Sequence, residues 1–340
     1  MDPVAPPVPP VDVVALTRSL VDIDTTTGRE AQAGRWLTDY LLQLGFHVRE
    51  QPVGAGRFNV LATAGSPKVV FSTHYDCVPE YFPSRIENGR IYGRGACDAK
   101  GIAAAQIAAA DALRRSGETR VGLLFLVGEE RGSDGARKAG EYDSGSKYLV
   151  NGEPTDLRLG LATRGVLRVK LVASGRAAHS SFPELGESAI DKLIDALLTL
   201  RSIALPVDSV LGQTHYTVGV ISGGVAPNVV SPAAEAEIMF RTVSDADEIR
   251  RAIAPLQERV RIDHVLEVPP VRMATVSGFD TAVFPYTTDI PFLARWGEPL
   301  LFGPGSIHVA HTTEEYIAID ELQSAVTAYR NIASDLLSRD

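Results

Sequence analysis

Cysteine is almost absent: Cys77 and Cys97 are the only two in 340 residues. So sparse a supply builds no disulfide framework and fits a reducing compartment, so a cytoplasmic location is expected. No apolar run approaches the roughly 18 residues that span a bilayer, which sets aside a membrane partner. The opening MDPVAPPVPPVD has neither the basic nor the apolar region of a secretory signal and reads as a short disordered tail. Basic residues are outnumbered, 33 Lys and Arg against 42 Asp and Glu, for a net charge of −9. They form no cluster, so nucleic acid is not an expected partner. Two motifs are also lacking, the phosphate-cradling GxxxxGK[ST] and the nucleophile elbow GxSxG. In GRGACD, Asp98 stands where a dinucleotide fingerprint needs its third glycine.

What is present is ordinary for a globular chain, 45% hydrophobic and 22% charged residues, with length for about two domains. Residues 11–45 read as a helical region closed by Gly45, before the strand-like FHVRE. PKVVFSTH (67–74), VGLLFLVG (121–128) and SKYLVNG (146–152) are buried-strand runs, and IAAAQIAAADALRR (102–115) is an Ala-rich helix. Strands separated by helices give βαβ units and a mostly parallel sheet, an α/β domain. Beyond Gly165 the texture changes. LRVKLVAS (167–174) and AAEAEIMFRT (233–242) alternate with period 2, as in a sheet open to solvent on one face, and helical patterns occupy 187–203 and 245–261. This predicts a small α+β domain over 164–278 inserted into an α/β domain made of 1–163 and 279–340. GFDTAVFPYTTDIP, LFGPGSIHVAH and a helix from about Asp320 are expected to complete the α/β sheet.

The residues able to hold a metal fall at the ends of the apolar runs. His74 and Asp76 follow VVFST, Glu129 and Glu130 follow LLFLVG, and Glu153 follows YLVNG. Ligand sites of open α/β sheets lie beyond the carboxyl ends of the strands, so three strands would deliver imidazole and carboxylate to one edge. Asp98, opening the Ala-rich helix, and His311 can reach the same edge. Singly each has a plainer reading: Asp98 as a helix cap, the paired glutamates as solvated surface, His311 as a satisfied buried histidine. The plainer readings do not explain why all of them end strands or open loops of one domain. Where a strand turns into a loop, both adjacent glutamates can face one cleft, one binding metal and the other left as a base.

The blocks STHYDCVP (72–79), GRGACDAKG (93–101), GEERGSDGA (128–136), GEPT (152–155), GRAAHSS (175–181), APNVVS (226–231) and GPGSIHVAHTTEEY (303–316) occur in that order. Together they resemble the signatures of the aminoacylase / acetylornithine deacetylase / succinyl-diaminopimelate desuccinylase family of two-metal hydrolases, along nearly the whole chain. The resemblance implies a zinc-peptidase-like catalytic domain with a ferredoxin-like inserted domain for lid and dimer contacts. It makes Asp98 the bridge between two divalent ions, zinc first and cobalt or manganese also compatible. His74 and Glu153 would complete one site, Glu130 and His311 the other. Asp76 would orient His74, and Glu129 would be the general base for a water held between the ions. His179 would reach the active site of a second subunit and stabilise the oxyanion. Asn228 and Arg241 are the substrate-binding candidates, Arg241 as a carboxylate grip. Gly303, Gly305 and Ser306 form a turn whose backbone donors would lie near substrate, with a purely structural turn as the other reading. Cys77 and Cys97 flank these motifs but are expected to be packing residues.

Within that family, glutamate at the position of Glu153 goes with deacylases and aspartate with peptidases. The expected activity is therefore removal of an N-acyl group from an amino acid, with an acetylornithine-like substrate first. A metallo-dipeptidase or carboxypeptidase with the same metal site, and a non-catalytic binding homologue, stand as alternatives.

Overall fold

A strand buried on both faces reads as a near-continuous apolar run, and VVFSTH and VGLLFL are buried at every position, with the polar Ser72, Thr73 and His74 confined to the end of the first. The computed structural model describes residues 9–339; the first eight residues, most of the expected disordered tail, lie outside the described residues. The main strands are β1 (His47–Gly54), β2 (Arg57–Thr63), β3 (Val69–His74), β4 (Val121–Leu126), β5 (Tyr148–Asn151), β6 (Gly165–Ser174), β7 (His215–Gly223), β8 (Ala233–Thr242), β9 (Arg261–Val268) and β10 (Glu298–Leu301). The helices are α1 (Val13–Val21), α2 (Ala31–Gln43), α3 (Lys100–Arg115), α4 (Asp134–Ala139), α5 (Ala189–Ser202), α6 (Ala246–Ile253) and α7 (Ile319–Ser338). The chain divides into two compact units: Met1–Leu161 with Arg272–Ala282 and Thr288–Asp340, and Ala162–Val271 with Val283–Thr287.

The first unit is α/β. Its six-stranded sheet runs β1-β2-β4-β3-β5-β10. The β4-β3-β5-β10 part is parallel, and β1 and β2 extend it antiparallel. Helix α3 packs on β3 and β4 between α1 and α7, and is therefore buried nearly all round. That explains its alanines, which let backbones approach closely. Gly101 is the extreme case, since a Cβ there would lie 2.3 Å from the Ala96 carbonyl oxygen.

Two local expectations need correction, and one strand goes unannounced. The helical region over 11–45 is two helices, because Asp24 folds the chain into a turn, its carboxylate accepting from the Thr26 N–H (2.9 Å) and hydroxyl (2.7 Å). Strand β2, which no apolar run announces, forms a hairpin with β1 and carries β1 onto the sheet. Thr281–Phe284 does not complete the main sheet but joins a separate three-stranded one; it is short and only partly buried, unlike β3 and β4.

The second unit is α+β. Its order β6-α5-β7-β8-α6-β9 is the βαββαβ pattern of ferredoxin-like folds, with an antiparallel sheet ordered β7-β8-β6-β9. Alternation along β8 sends Ala234, Ala236, Ile238 and Phe240 into a core with α5 and α6. The other face carries the ion pairs Lys170–Glu235 (2.7 Å) and Arg168–Glu237 (3.9 Å).

Candidate metal centre

In the first unit four neighbouring strands, β4, β3, β5 and β10, run parallel and end at one edge. The chain passes from β3 to β4 on one side and then to β5 on the other, so strand order reverses around β3. Such a reversal opens a crevice beyond the carboxyl ends. His74 is the last residue of β3, Glu129 and Glu130 follow β4, Glu153 follows β5, and His311 lies in the loop after β10. Gly128 makes the turn after β4 in a left-handed conformation (φ +74°), and Glu129–Arg131 then form one 3₁₀ turn. Asp98 stands just ahead of α3 and is not its cap: that position is Ala99.

The structure brings four of these side chains together around Asp98. One carboxylate oxygen, Oδ1, lies 3.0 Å from His74 Nε2, and the other, Oδ2, lies 3.2 Å from His311 Nε2. Glu130 Oε1 is 3.0 Å from the same His311 nitrogen, and Glu153 Oε2 is 3.9 Å from His74 Nε2. His74, Asp98 and Glu130 each offer a ligand atom, all within 4.8 Å of one another. Thus each oxygen of Asp98 faces one imidazole, and each imidazole faces one further carboxylate.

The hydrogen bonds say what belongs between them. His74 Nδ1 lies 3.1 Å from the backbone carbonyl of Asp76, which can only accept, so Nδ1 carries the proton. In the neutral ring Nε2 then presents a lone pair to the Asp98 carboxylate, an acceptor facing an acceptor, which requires a proton or a metal ion between them. Buried Glu153 Oε1 has no hydrogen-bond partner. Imidazole and carboxylate are ligands that zinc, cobalt and manganese accept, and the residues present fit a pair of divalent ions sharing Asp98.

Without a cation the cluster holds on to protons. Burial presses His74 down, but hydrogen bonds to Asp76 and Asp98 and the charges of Asp98 and Glu153 raise it well above its ordinary value. Hydrogen bonds to Asp98 and Glu130 push His311 up to about 10. Glu129 and Glu153 are both raised, first by burial and then by repulsion from neighbouring carboxylates. Asp98 is lowered: burial opposes its ionisation, yet bonds from His311 and His74 outweigh it.

Asp76 touches both His74 and the segment of Glu129. Its Oδ1 is 3.6 Å from His74 Nδ1, while the same oxygen accepts the Glu129 N–H at 3.1 Å and Oδ2 accepts the Thr27 hydroxyl at 2.7 Å. Asp76 therefore ties the backbone of Glu129 to the His74 loop, and its carbonyl rather than its carboxylate makes the closer contact with the ring. Asp289 is a residue that motif reading does not reveal. It is buried, and burial foremost pushes it up to about 7, against an opposing hydrogen bond from Ser133. Its charge acts on both Glu129 and Glu153.

At the turn Gly303–Ser306 the hydrogen bonds favour the structural reading for the two glycines. The Gly303 N–H donates to Thr155 Oγ1 (2.9 Å) and the Gly305 N–H to Glu321 Oε1 (2.6 Å), so both backbone donors are spent within the unit. Ser306 is half-buried, and its carbonyl accepts from the Cys97 thiol. Both cysteines are free and buried, and burial raises both thiols, Cys77 to about 11, which suits packing and not nucleophilic work.

His179, Asn228 and Arg241 belong to the second unit. His179 and Asn228 are exposed neighbours there: His179 pairs with Val229 across a β-bridge, and the Ser180 N–H donates to the Asn228 carbonyl (3.0 Å). Arg241 lies near the far end of β8, opposite His215. It is half-buried, no carboxylate pairs with it among the described residues, and burial alone lowers its pKa.

The profile described as Peptidase family M20/M25/M40 matches residues 70–335. A Peptidase M20 domain-containing protein of Schizosaccharomyces pombe is 36% identical over 335 residues, covering 94% of this chain and 84% of the relative. A probable carboxypeptidase of Aspergillus terreus is 36% identical over 364 residues, covering 93% of this chain and 84% of its own. Among solved structures, a dinuclear metal-binding peptidase of the M20 family from Bacillus subtilis superposes with a TM-score of 0.75 at 15% identity, covering 96% of this chain and 98% of that one. With a profile spanning most of its length and relatives this similar over nearly all of it, the chain belongs to peptidase family M20/M25/M40 and is a metallohydrolase.

Proposed function

We propose that this protein hydrolyses a linear amide whose amine side carries a free carboxylate, and that N-acyl amino acids of the acetylornithine type are its first substrate class. The observation that carries the reaction is the division of the two Asp98 oxygens between His74 and His311, with Glu129 beside them. In this reading His74 and Glu153 hold one ion, His311 and Glu130 the other, and Asp98 both. Zinc is the first candidate, and cobalt or manganese suits the same ligands. Bound there, two divalent ions supply Lewis acidity toward the scissile carbonyl and acidify the attacking water.

The chain's own residues carry the protons. Glu129 takes one from the water as its oxygen adds to the carbonyl carbon, and returns it to the amine nitrogen as the C–N bond breaks. A base must be ionised, and burial with carboxylate neighbours holds Glu129 high; positive charge in the cluster brings it back down. Asp76 keeps Glu129 in place through its backbone N–H. Arg241 is the carboxylate grip, favoured by a guanidinium with no acidic partner, with Asn228 and Ser306 as further substrate contacts. Glu153, glutamate where peptidases of the resembling family carry aspartate, favours the deacylase. The second reading is a carboxypeptidase or dipeptidase on the same site, and the relative named a probable carboxypeptidase favours it. Two free buried cysteines support placing the activity in the cytoplasm; among the described residues no helix is long and apolar enough to cross a membrane.

The second unit serves in this proposal as lid and dimerisation domain, with His179 donating to the oxyanion of a second subunit. Its edge strand β7 exposes Val220 and Ile221 (56% and 60%), and α5 exposes Ile190, Ile194 and Leu198 at four-residue steps on one face. Ile190 adjoins Gly224, just past β7, so the two apolar strips meet. An unpaired edge beside an apolar stripe suits a second copy, with β7 pairing with its twin across a two-fold axis.

Amine release by the zinc- or cobalt-loaded protein against N-acetyl and N-succinyl amino acids and simple dipeptides separates the two readings. Selective turnover of one acylated amino acid is expected, and turnover of dipeptides alone would establish the peptidase. Glu129→Ala should lower kcat by about 10²–10⁴-fold while metal content stays at two ions per chain; wild-type turnover in that variant would remove Glu129 as base. Because His74, His311, Glu129 and Glu153 all hold protons more tightly than usual, metal loading should release protons and tighten as pH rises from 6 to 8. Calorimetric titration of the metal-free protein in buffers of different ionisation enthalpy reads this directly, and uptake indifferent to pH would contradict it. Sedimentation should give a dimer that Ile221→Asp breaks, with activity lost in the monomer; a fully active wild-type monomer would refute the role of His179.

A further inference from the structure

Asp98 can face two imidazoles at once only if the loop carrying it is held still, and its backbone shows what holds it. The N–H groups of Gly95, Cys97 and Asp98 all converge on one oxygen of Glu315, at 3.0, 3.1 and 3.0 Å. The other oxygen accepts from Arg94 Nη1 at 2.6 Å, and the backbone carbonyl of Glu315 accepts the Gly93 N–H at 3.1 Å. Glu315 is fully buried, and every one of these bonds goes to residues 93–98. Converging backbone N–H groups form a nest, a concavity that elsewhere binds a phosphate or other anion. Here a side chain of the protein fills it, with bonds strengthened by the carboxylate charge.

The filling side chain comes from the loop of His311, four residues earlier. From Glu315 the chain continues into Tyr316–Ala318, which pairs antiparallel with Arg90–Tyr92. Two segments are thus laced together, first by strand pairing, then by the Glu315 carbonyl, then by its carboxylate, and the lacing ends at Asp98. At its other end the His311 segment is held by Glu321, which accepts the Gly305 N–H.

We propose that Glu315 is a positioning residue for the metal pair: its carboxylate fills the backbone nest of residues 95–98 and so fixes Asp98 against His311 before any ion arrives. This rests on the two-metal reading above. For the nest itself reach decides. Glutamine keeps the length and can place its acceptor oxygen in the nest, turning its NH2 toward Arg94 and so losing that ion pair, whereas aspartate keeps the charge but falls one methylene short of the nest. Positioning therefore predicts metal affinity in the order wild type, Glu315→Gln, Glu315→Asp; a charge effect acting through space predicts that Asp outranks Gln.

The test uses the full chain, stripped of metal by a chelator and titrated with zinc against a chromogenic competitor. Thermal unfolding of the metal-free proteins is followed in parallel. Wild type is expected to take up two ions. Glu315→Asp should bind the weaker ion about 10–100-fold less tightly, the range found when groups supporting metal ligands are lost, and Glu315→Gln should lose less. In both, kcat should fall more than KM changes, and excess zinc should restore part of kcat, which a general loss of fold would not allow. Two ions bound at wild-type affinity by both variants, or Asp binding more tightly than Gln, would overturn the proposal. So would failure of both variants to fold, which would make Glu315 a residue of the architecture alone. Uptake of a single ion by wild type would instead refute the two-metal reading.

Discussion

Burial of the parallel strands on both faces is the constraint on which the site depends. Each residue of β3 and β4 is buried, so a charge within either would cost several kcal/mol unless paired. Polar chemistry is expelled to the positions where the strands stop, and parallel strands all stop at the same edge. Four consecutive strands therefore place His74, Glu130, Glu153 and His311 along one line without any of them being near another in sequence. The helix that covers this part of the sheet supplies the missing member, since Asp98 stands at its entrance.

The result is a crowd of like charges in a place that penalises even one. Asp98, Glu129, Glu130, Glu153, Asp76 and Asp289 surround two histidines, and desolvation is the largest influence on Glu129, Glu153 and Asp289. Three devices keep the arrangement together. Backbone N–H groups meet carboxylates, as at Asp76 and Glu315. The imidazoles are drawn to the charged form by their carboxylate neighbours. Glu129 and Glu153 are pushed toward the protonated form. Each device is a partial substitute for positive charge, and cations at the centre would replace the protons with something that also activates a carbonyl.

How much of this could be read beforehand follows from the same physics. Residues directly after an apolar run stand out against it, so His74, Glu129, Glu130 and Glu153 were visible, and period-2 alternation in LRVKLVAS and AAEAEIMFRT announced the second sheet. Asp289 and Glu315 were invisible because their significance is tertiary: one is an acid buried where others crowd it, the other fills a nest over two hundred residues away. The 11–45 region misled because its break, the polar stretch DIDTTTGRE (22–30) with an Asx turn at Asp24, carries no proline to mark it. The Gly303–Ser306 turn stood open between two readings because glycine announces backbone freedom and is silent on whether the N–H groups are already taken, here by Thr155 and Glu321.

Why substrate choice stays hidden while the reaction does not can also be put physically. An N-acyl amino acid and a peptide cut at its last residue present the same scissile amide and the same free carboxylate on the amine side. In the proposed reaction a metal pair sharing Asp98 and a base at Glu129 would serve both without distinction. The two classes differ only on the acyl side, in length and, where the peptide is a dipeptide, in the ammonium group on the carbon next to the carbonyl. Discrimination there is the work of room and of charge, and one methylene of room is worth only about 1–3 kcal/mol, whereas an unpaired buried charge or donor rejects far more strongly. The residue that chooses between deacylase and dipeptidase is therefore to be sought as a group that meets, or fails to meet, that ammonium, and not among the ligands that the two activities share.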